Sequence, residues 1–143
     1  MRALVYQESR FDPSRRGSRG EIGLMQVLPG GAAAEWARVK KCPRPAESDL
    51  FRVDVNLDIG CWYLARALKR WSDYRCRLDL ALADYNAGIS RAREWAPPAK
   101  NGEVLPRVKI ASTRKYISEI TRRYRSYARK TAAEKRQTPV AGK

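Results

Sequence analysis

Apolar residues in this chain recur every three to four positions, and nowhere do they alternate over a useful length. Leu57, Cys61, Leu64, Leu68 and Trp71 make one such stripe, Leu78, Ala81, Leu82 and Tyr85 a second, and Ile117, Ile120, Tyr124 and Tyr127 a third. That period presents one face of a helix to a core, and with no internal repeat the chain is expected to be all-α, or mainly α. A stripe at the start, Met1, Leu4 and Val5, continues by one turn onto Glu8 and then Phe11, so it carries a carboxylate inward. Taking a carboxylate out of water disfavours its ionised form and raises its pKa, which makes Glu8 a candidate general acid. Spacing alone favours instead a glutamate at the stripe's edge that reaches solvent.

The 143 residues suffice for one domain with a real core and not for two comfortable ones. Thirty Lys and Arg against fifteen Asp and Glu leave a net charge of +15, which predicts attraction to polyanions: nucleic acid, anionic membrane or acidic cell-wall polymer. Between positions 107 and 136 eleven basic residues face Glu119 and Glu134, so this stretch alone supplies +9. There is no histidine, which excludes Ser-His-Asp and Cys-His catalysis and the usual histidine-containing metal sites. Catalysis must therefore rest on carboxylates, hydroxyls or amides. Cys42, Cys61 and Cys76 lack paired C-x-x-C spacing, and their odd number leaves at least one unpaired; they read as small core residues, and no metal or cofactor is expected. No run approaches the length of a membrane span, and the first residues lack a secretion signal's apolar stretch.

Asp12-Pro13 is expected to end the first helix. A basic loop with Gly17, Gly20 and Gly23 follows, then the apolar run from Leu24 to Leu28 interrupted by Gln26, a break at Pro29-Gly30-Gly31, and a helix from Ala32 to Lys40. Asp54 is a candidate N-cap for the next helix, Gly88 can close the helix that ends in Tyr85-Asn86-Ala87, and a short helix runs from Ile89 to Trp95. Ser112 or Thr113 can cap a final helix, and polar composition with Pro139 predicts a basic, disordered tail over 130–143, leaving 1–129 as the globular unit.

Glu8-Ser9-Arg10-Phe11-Asp12-Pro13, Gly20-Glu21-Ile22-Gly23-Leu24-Met25-Gln26 with Pro29, Asn56 with Gly60 and Tyr63-Leu64, Ala81 through Gly88, and Thr113-Arg114-Lys115-Tyr116-Ile117 together resemble, in order, the motifs of the soluble lytic transglycosylase domain. This is a lysozyme-like family that cleaves peptidoglycan, and the likeness runs from about Leu4 to Tyr127. Any one piece is weak; several in the right order at plausible spacing are not. The resemblance implies a helical domain with a substrate cleft. It also implies that Glu8 first protonates the glycosidic oxygen between N-acetylmuramic acid and N-acetylglucosamine. Glu8 then takes the proton of the muramic C6 hydroxyl as that oxygen closes on C1, giving a 1,6-anhydro product. Met25 and Gln26 match a segment lining the sugar groove, with Met25 as part of an apolar wall; Tyr85 and Asn86 match the pair facing it, and Tyr116 a tyrosine reaching the same site. Peptidoglycan strands would be the partner, with no specific nucleic acid, no transmembrane segment, a monomeric state, and a periplasmic or envelope location.

This chain departs from the family pattern in four places. Gly17 stands where many members have a serine that helps hold the muramic sugar, with Ser18 adjacent as a possible substitute. Glu21 and Asp84 each replace a commoner alanine, and neither change is expected to touch the groups doing chemistry. The family also has another turn or more of helix ahead of Leu4. Asp12 and Asp84 are the available second carboxylates; they read instead as a helix terminator and a solvent-facing helix position. Three rivals remain: lysozyme-type hydrolysis in the same cleft, a nucleic-acid or anionic-surface module built on the basic stretch with Tyr116, Tyr124 and Tyr127 for stacking, and a relative that binds wall without cutting it.

Overall fold

The computed structural model describes residues 1–137, and the predicted Pro139 break lies outside them. Six α-helices are formed: α1 (Arg2–Ser9), α2 (Ala34–Lys40), α3 (Val53–Arg70), α4 (Arg77–Ala87), α5 (Ile89–Trp95) and α6 (Ala111–Gln137). Among the described residues there are no strands, only isolated antiparallel bridges pairing Ile22 with Arg16 and with Val27, which fold the glycine-rich loop into a small hairpin. The last helix carries on to Gln137, so the loose tail expected from position 130 is corrected over its first residues.

The core is built around α4, which packs on α3, α5 and α6. Leu80, Ala81, Leu82, Ala83 and Asp84 are all buried, so this helix is enclosed on more than the one face its stripe predicts. That corrects the reading of Asp84 as solvent-facing: it is 1% exposed, accepting from the Arg70 guanidinium and, at 3.1 Å, from the Trp71 indole N–H. A buried carboxylate persists only when paired in this way. On α3 the deepest residues are Asn56, Ile59, Gly60, Leu64 and Ala67, while the predicted Leu57, Cys61 and Leu68 are only partly buried. The three cysteines are free and half-buried.

Helix ends differ from the capping expected. Asp54 lies inside the first turn of α3, where its charge suits the helix N-terminus, and Arg52 occupies the cap. The α6 helix begins at Ala111, and the Thr113 hydroxyl is spent elsewhere. Helix α1 closes at Arg10 in the left-handed conformation, three residues before Pro13, so Phe11 leaves the stripe and is 46% exposed, its ring edge-on to Tyr6.

Candidate active site

Glu8 sits in the last turn of α1, whose inner face is fixed by buried Ala3, Leu4 and Val5. One residue on, Ser9 is 1% exposed and donates its hydroxyl to the Leu24 carbonyl at 2.9 Å, tying the helix end to the hairpin. The hairpin is held from below by Asn56 of α3, itself 1% exposed. Its Oδ1 accepts the Met25 N–H at 2.8 Å, and its Nδ2 donates to the Ile22 and Leu50 carbonyls at 2.8 and 2.7 Å. Gly60, one turn further along α3, lets Met25 approach so closely that a Cβ there would meet its sulfur at 2.5 Å. Among the described residues, four non-glycines have positive φ; Arg10, Phe11 and Gln26 are three of them, and all border Glu8's end of α1 or the hairpin. Such concentrated backbone strain is typical of a functional site.

Helix α6 crosses α1 and brings Tyr116 to Glu8, where the phenol donates to Oε1. Burial is the main influence on Glu8, and it lifts the carboxyl from its ordinary 4.5 to about 7. The Tyr116 hydrogen bond opposes it by favouring the ionised form, the Glu21 charge adds to it, and Arg19 and Arg15 act against it. Burial also pushes the phenols of Tyr85 and Tyr116 well up, and the Glu8 charge adds to both shifts, as expected of two tyrosines flanking the acid. Two hollows adjoin this centre. One, of about 300 Å³, is lined by Tyr6, Gln7, Glu8, Arg10, Arg15, Glu119 and Arg123; the other, of about 360 Å³, by Gln7, Asn86, Ser112, Lys115, Tyr116 and Glu119. Gln7 and Glu119 belong to both, so the two hollows adjoin where α1 meets α6, the first of them reaching the acid. A proton-bearing carboxyl beside such a hollow, braced by a phenol, is equipped for general acid catalysis.

Residues 1–104 match the model of the transglycosylase SLT domain family. The chain belongs to that family. It is 34% identical over 136 residues to the membrane-bound lytic murein transglycosylase F of Desulfosudis oleivorans, covering 85% of this chain and 27% of that protein. It is 30% identical over 122 residues to a putative soluble lytic murein transglycosylase of Haemophilus influenzae, covering 82% of this chain and 20% of that protein. Among solved structures, the 70 kDa soluble lytic transglycosylase of Escherichia coli aligns with a TM-score of 0.72 at 27% identity. An inactive Glu-to-Gln mutant of lytic transglycosylase Slt from Pseudomonas aeruginosa aligns at 0.69 and 30%. Each structural alignment covers 82% of this chain and 19% of the other. This SLT domain thus spans 19% to 27% of the length of these relatives.

Of the residues singled out from sequence, Tyr85, Asn86 and Tyr116 lie with Glu8. The Tyr85 hydroxyl donates to the Met25 carbonyl at 2.8 Å and its ring meets Tyr63 edge-on, so it joins α4 to the hairpin. The Asn86 Oδ1 accepts the Thr113 hydroxyl at 2.8 Å, which fixes its amide at the rim of the second hollow. Gln26 is half-buried, its Nε2 donating to the Gly23 carbonyl at 2.9 Å and the Arg15 carbonyl at 3.2 Å. One expectation is corrected. The Met25 side chain is fully buried against Gly60 and Cys61, so it cannot form a groove wall and contributes through its backbone. Ser18 is exposed on the hairpin and is absent from the lining of both hollows.

Sequence reasoning passed over Gln7 and Glu119 as site residues. Gln7 and Glu119 carry no motif signal; they reach the hollows because α1 and α6 cross there. Glu21 is a further correction, since it was expected to leave the chemistry untouched yet raises the Glu8 pKa. It is 8% exposed, accepting from the Arg19 backbone N–H at 2.9 Å and from the Arg19 Nε at 2.8 Å. Burial would push its pKa up, but hydrogen bonds from its own and Arg19's backbone N–H groups and from the Arg19 guanidinium bring it below normal, so it is ionised. Asp12 caps a turn through Ser14 and is exposed, two residues beyond the Arg10 that closes α1, so it does not itself end the helix as expected.

Proposed function

We propose that this SLT domain is the catalytic part of a peptidoglycan lytic transglycosylase, cutting the bond between N-acetylmuramic acid and N-acetylglucosamine with formation of a 1,6-anhydro end. The observation that carries the reading is Glu8 itself: half-buried at the edge of a hollow, protonated up to about pH 7 and hydrogen-bonded by Tyr116. A carboxyl poised there donates to the leaving glycosidic oxygen as the C1–O4 bond lengthens. Its conjugate base then withdraws the C6 hydroxyl proton as O6 bonds to C1, and Tyr116 steadies the transient negative charge by donating to Oε1. One carboxyl performs both transfers, and no water is consumed.

Asn86, Gln7 and Ser112 supply amide and hydroxyl groups along the second hollow for the acetamido and hydroxyl substituents of the sugar. The positive surface, densest on α6 with Arg122, Arg125, Arg129 and Lys130, suits an anionic wall polymer and gives a salt-sensitive attraction. No helix among the described residues is long and apolar enough to cross a membrane. The place of action that goes with this substrate is the cell envelope, the domain working as a monomer. The test is digestion of purified sacculi by the wild type and by Glu8→Gln, with products read by mass. Anhydro-muropeptides from the first and none from the second are expected; release by Glu8→Gln at the wild-type rate refutes the assignment.

A further inference from the structure

Three arginines from separate segments line the hollow that reaches Glu8. Arg10 follows the last turn of α1, Arg15 belongs to the loop leading into the hairpin, and Arg123 stands on α6. None of the three pairs with a carboxylate among the described residues, whereas Arg16, Arg19, Arg52, Arg66 and Arg70 all do. Besides Glu8, the lining holds one carboxyl, that of Glu119, and Lys115 lies 3.9 Å from it. With Glu8 keeping its proton up to about pH 7, the hollow carries a surplus of positive charge. Arg123 is the most constrained of the three: its guanidinium lies over the Tyr6 ring, 3.8 Å from the centroid, and its Nε is buried without a hydrogen-bond partner. Stacking fixes the guanidinium plane before any ligand arrives, and a buried N–H without an acceptor favours a ligand that brings oxygen. Guanidinium groups bind carboxylates through paired N–H···O bonds, so the chemistry that fits this hollow is a small carboxylate. Arg15 is near enough to Glu8 for its charge to pull the carboxyl's pKa down, so an anion held here lies within a sugar's reach of the donated proton.

We propose, resting on the reading of Glu8 as the acid at the muramyl bond, that Arg10, Arg15 and Arg123 form a subsite for the free lactyl carboxylate of N-acetylmuramic acid, so that this domain prefers glycan strands stripped of their stem peptides. The lactyl arm is an ether on C3 of the same ring whose C1 is attacked, which matches a hollow shared by the arginines and Glu8. Where a stem peptide is attached, the lactyl carboxyl is an amide. It is then uncharged, offers one oxygen instead of two, and carries bulk beyond it; the nearest free carboxylates lie farther out, on acidic residues of the stem. Removing the stem frees an anion with the two oxygens that a guanidinium fork takes. The reaction that supplies such strands is hydrolysis of the lactyl amide, which adds one water and releases the stem as a free peptide.

The experiment measures kcat/KM for release of anhydro ends from three kinds of soluble strand: stem-bearing strands freed by an endopeptidase, stem-free strands freed by an amidase, and stem-free strands whose lactyl carboxyl has been converted to a methylamide. The methylamide removes the charge without restoring the bulk of a stem. The wild type is expected to favour the free carboxylate over both other forms by about tenfold, the worth of one hydrogen bond to a charged group. The double variant Arg10→Gln, Arg15→Gln and the single variant Arg123→Gln should bring the carboxylate-to-methylamide ratio close to one, and Arg15→Lys, which keeps the charge without the fork, should keep part of the preference. The ratio is independent of how much folded enzyme each variant gives. Equal rates on carboxylate and methylamide strands, a preference for stem-bearing strands, or a ratio unchanged in the double variant overturns the proposal and leaves the transglycosylase reading standing. No anhydro ends from any of the three strands sinks both.

Discussion

Replacing Glu8 by Gln should stabilise the fold at alkaline pH while abolishing turnover, and the size of the effect follows from the carboxyl's surroundings. The folded protein holds the Glu8 proton up to about pH 7, whereas an unfolded chain releases it near the ordinary 4.5. Between those values the native state binds more protons, so stability falls as pH rises across that window. Below 4.5 both states are protonated and the full contribution is present; above 7 it is lost. At about 1.4 kcal/mol for each pH unit the loss comes to about 3 kcal/mol. Glutamine keeps the shape and still accepts from Tyr116, but carries no charge to desolvate. Urea unfolding of wild type and Glu8→Gln at pH 4, 6 and 8 is the assay: near-equal stability is expected at pH 4, with Glu8→Gln ahead by about 2 to 3 kcal/mol at pH 8. A difference that stays flat over this range would refute the claim that burial dominates the environment of Glu8.

Tyr116→Phe removes a donor that favours the ionised form of Glu8, so the alkaline limb of the kcat/KM profile should move up by about one pH unit, with a lower plateau; a downward shift contradicts the geometry. Asn56→Ala strips three hydrogen bonds from the base of the hairpin and should cost about 3 kcal/mol in denaturant unfolding, with faster amide exchange at Met25. Asp84→Ala leaves Arg70 and the Trp71 indole without their acceptor and should cost about 3 kcal/mol in the same measurement, since the Arg70 side chain is partly open to water. Turnover on sacculi should fall steadily as sodium chloride is raised from 20 to about 300 mM, because the positive surface is screened; indifference to salt would remove steering from the account.

The helices were legible because their apolar residues keep a single period, and Glu8 stood out because it places a charge on that period. What could not be read was set by contacts between distant segments. Asp84 looks like a surface residue until α4 is found enclosed by three helices, and only then is its burial with Arg70 and Trp71 intelligible. Met25 looks like a groove wall until the bare backbone of Gly60 draws its sulfur inward. Glu21 differs by one residue from a common pattern, and its influence on Glu8 depends on how the hairpin folds, which no local periodicity encodes. The tail was misjudged at its start because arginine and lysine read as loose chain in composition, although both are good helix formers that extend α6.

Tyr116 and Glu8 touch across 108 positions of sequence, from opposite ends of the domain. Residues 1–100 therefore carry Glu8, the hairpin and Asn86 without the phenol that donates to the carboxyl. The donor that steadies Glu8 is in place only once α6 has docked on α1.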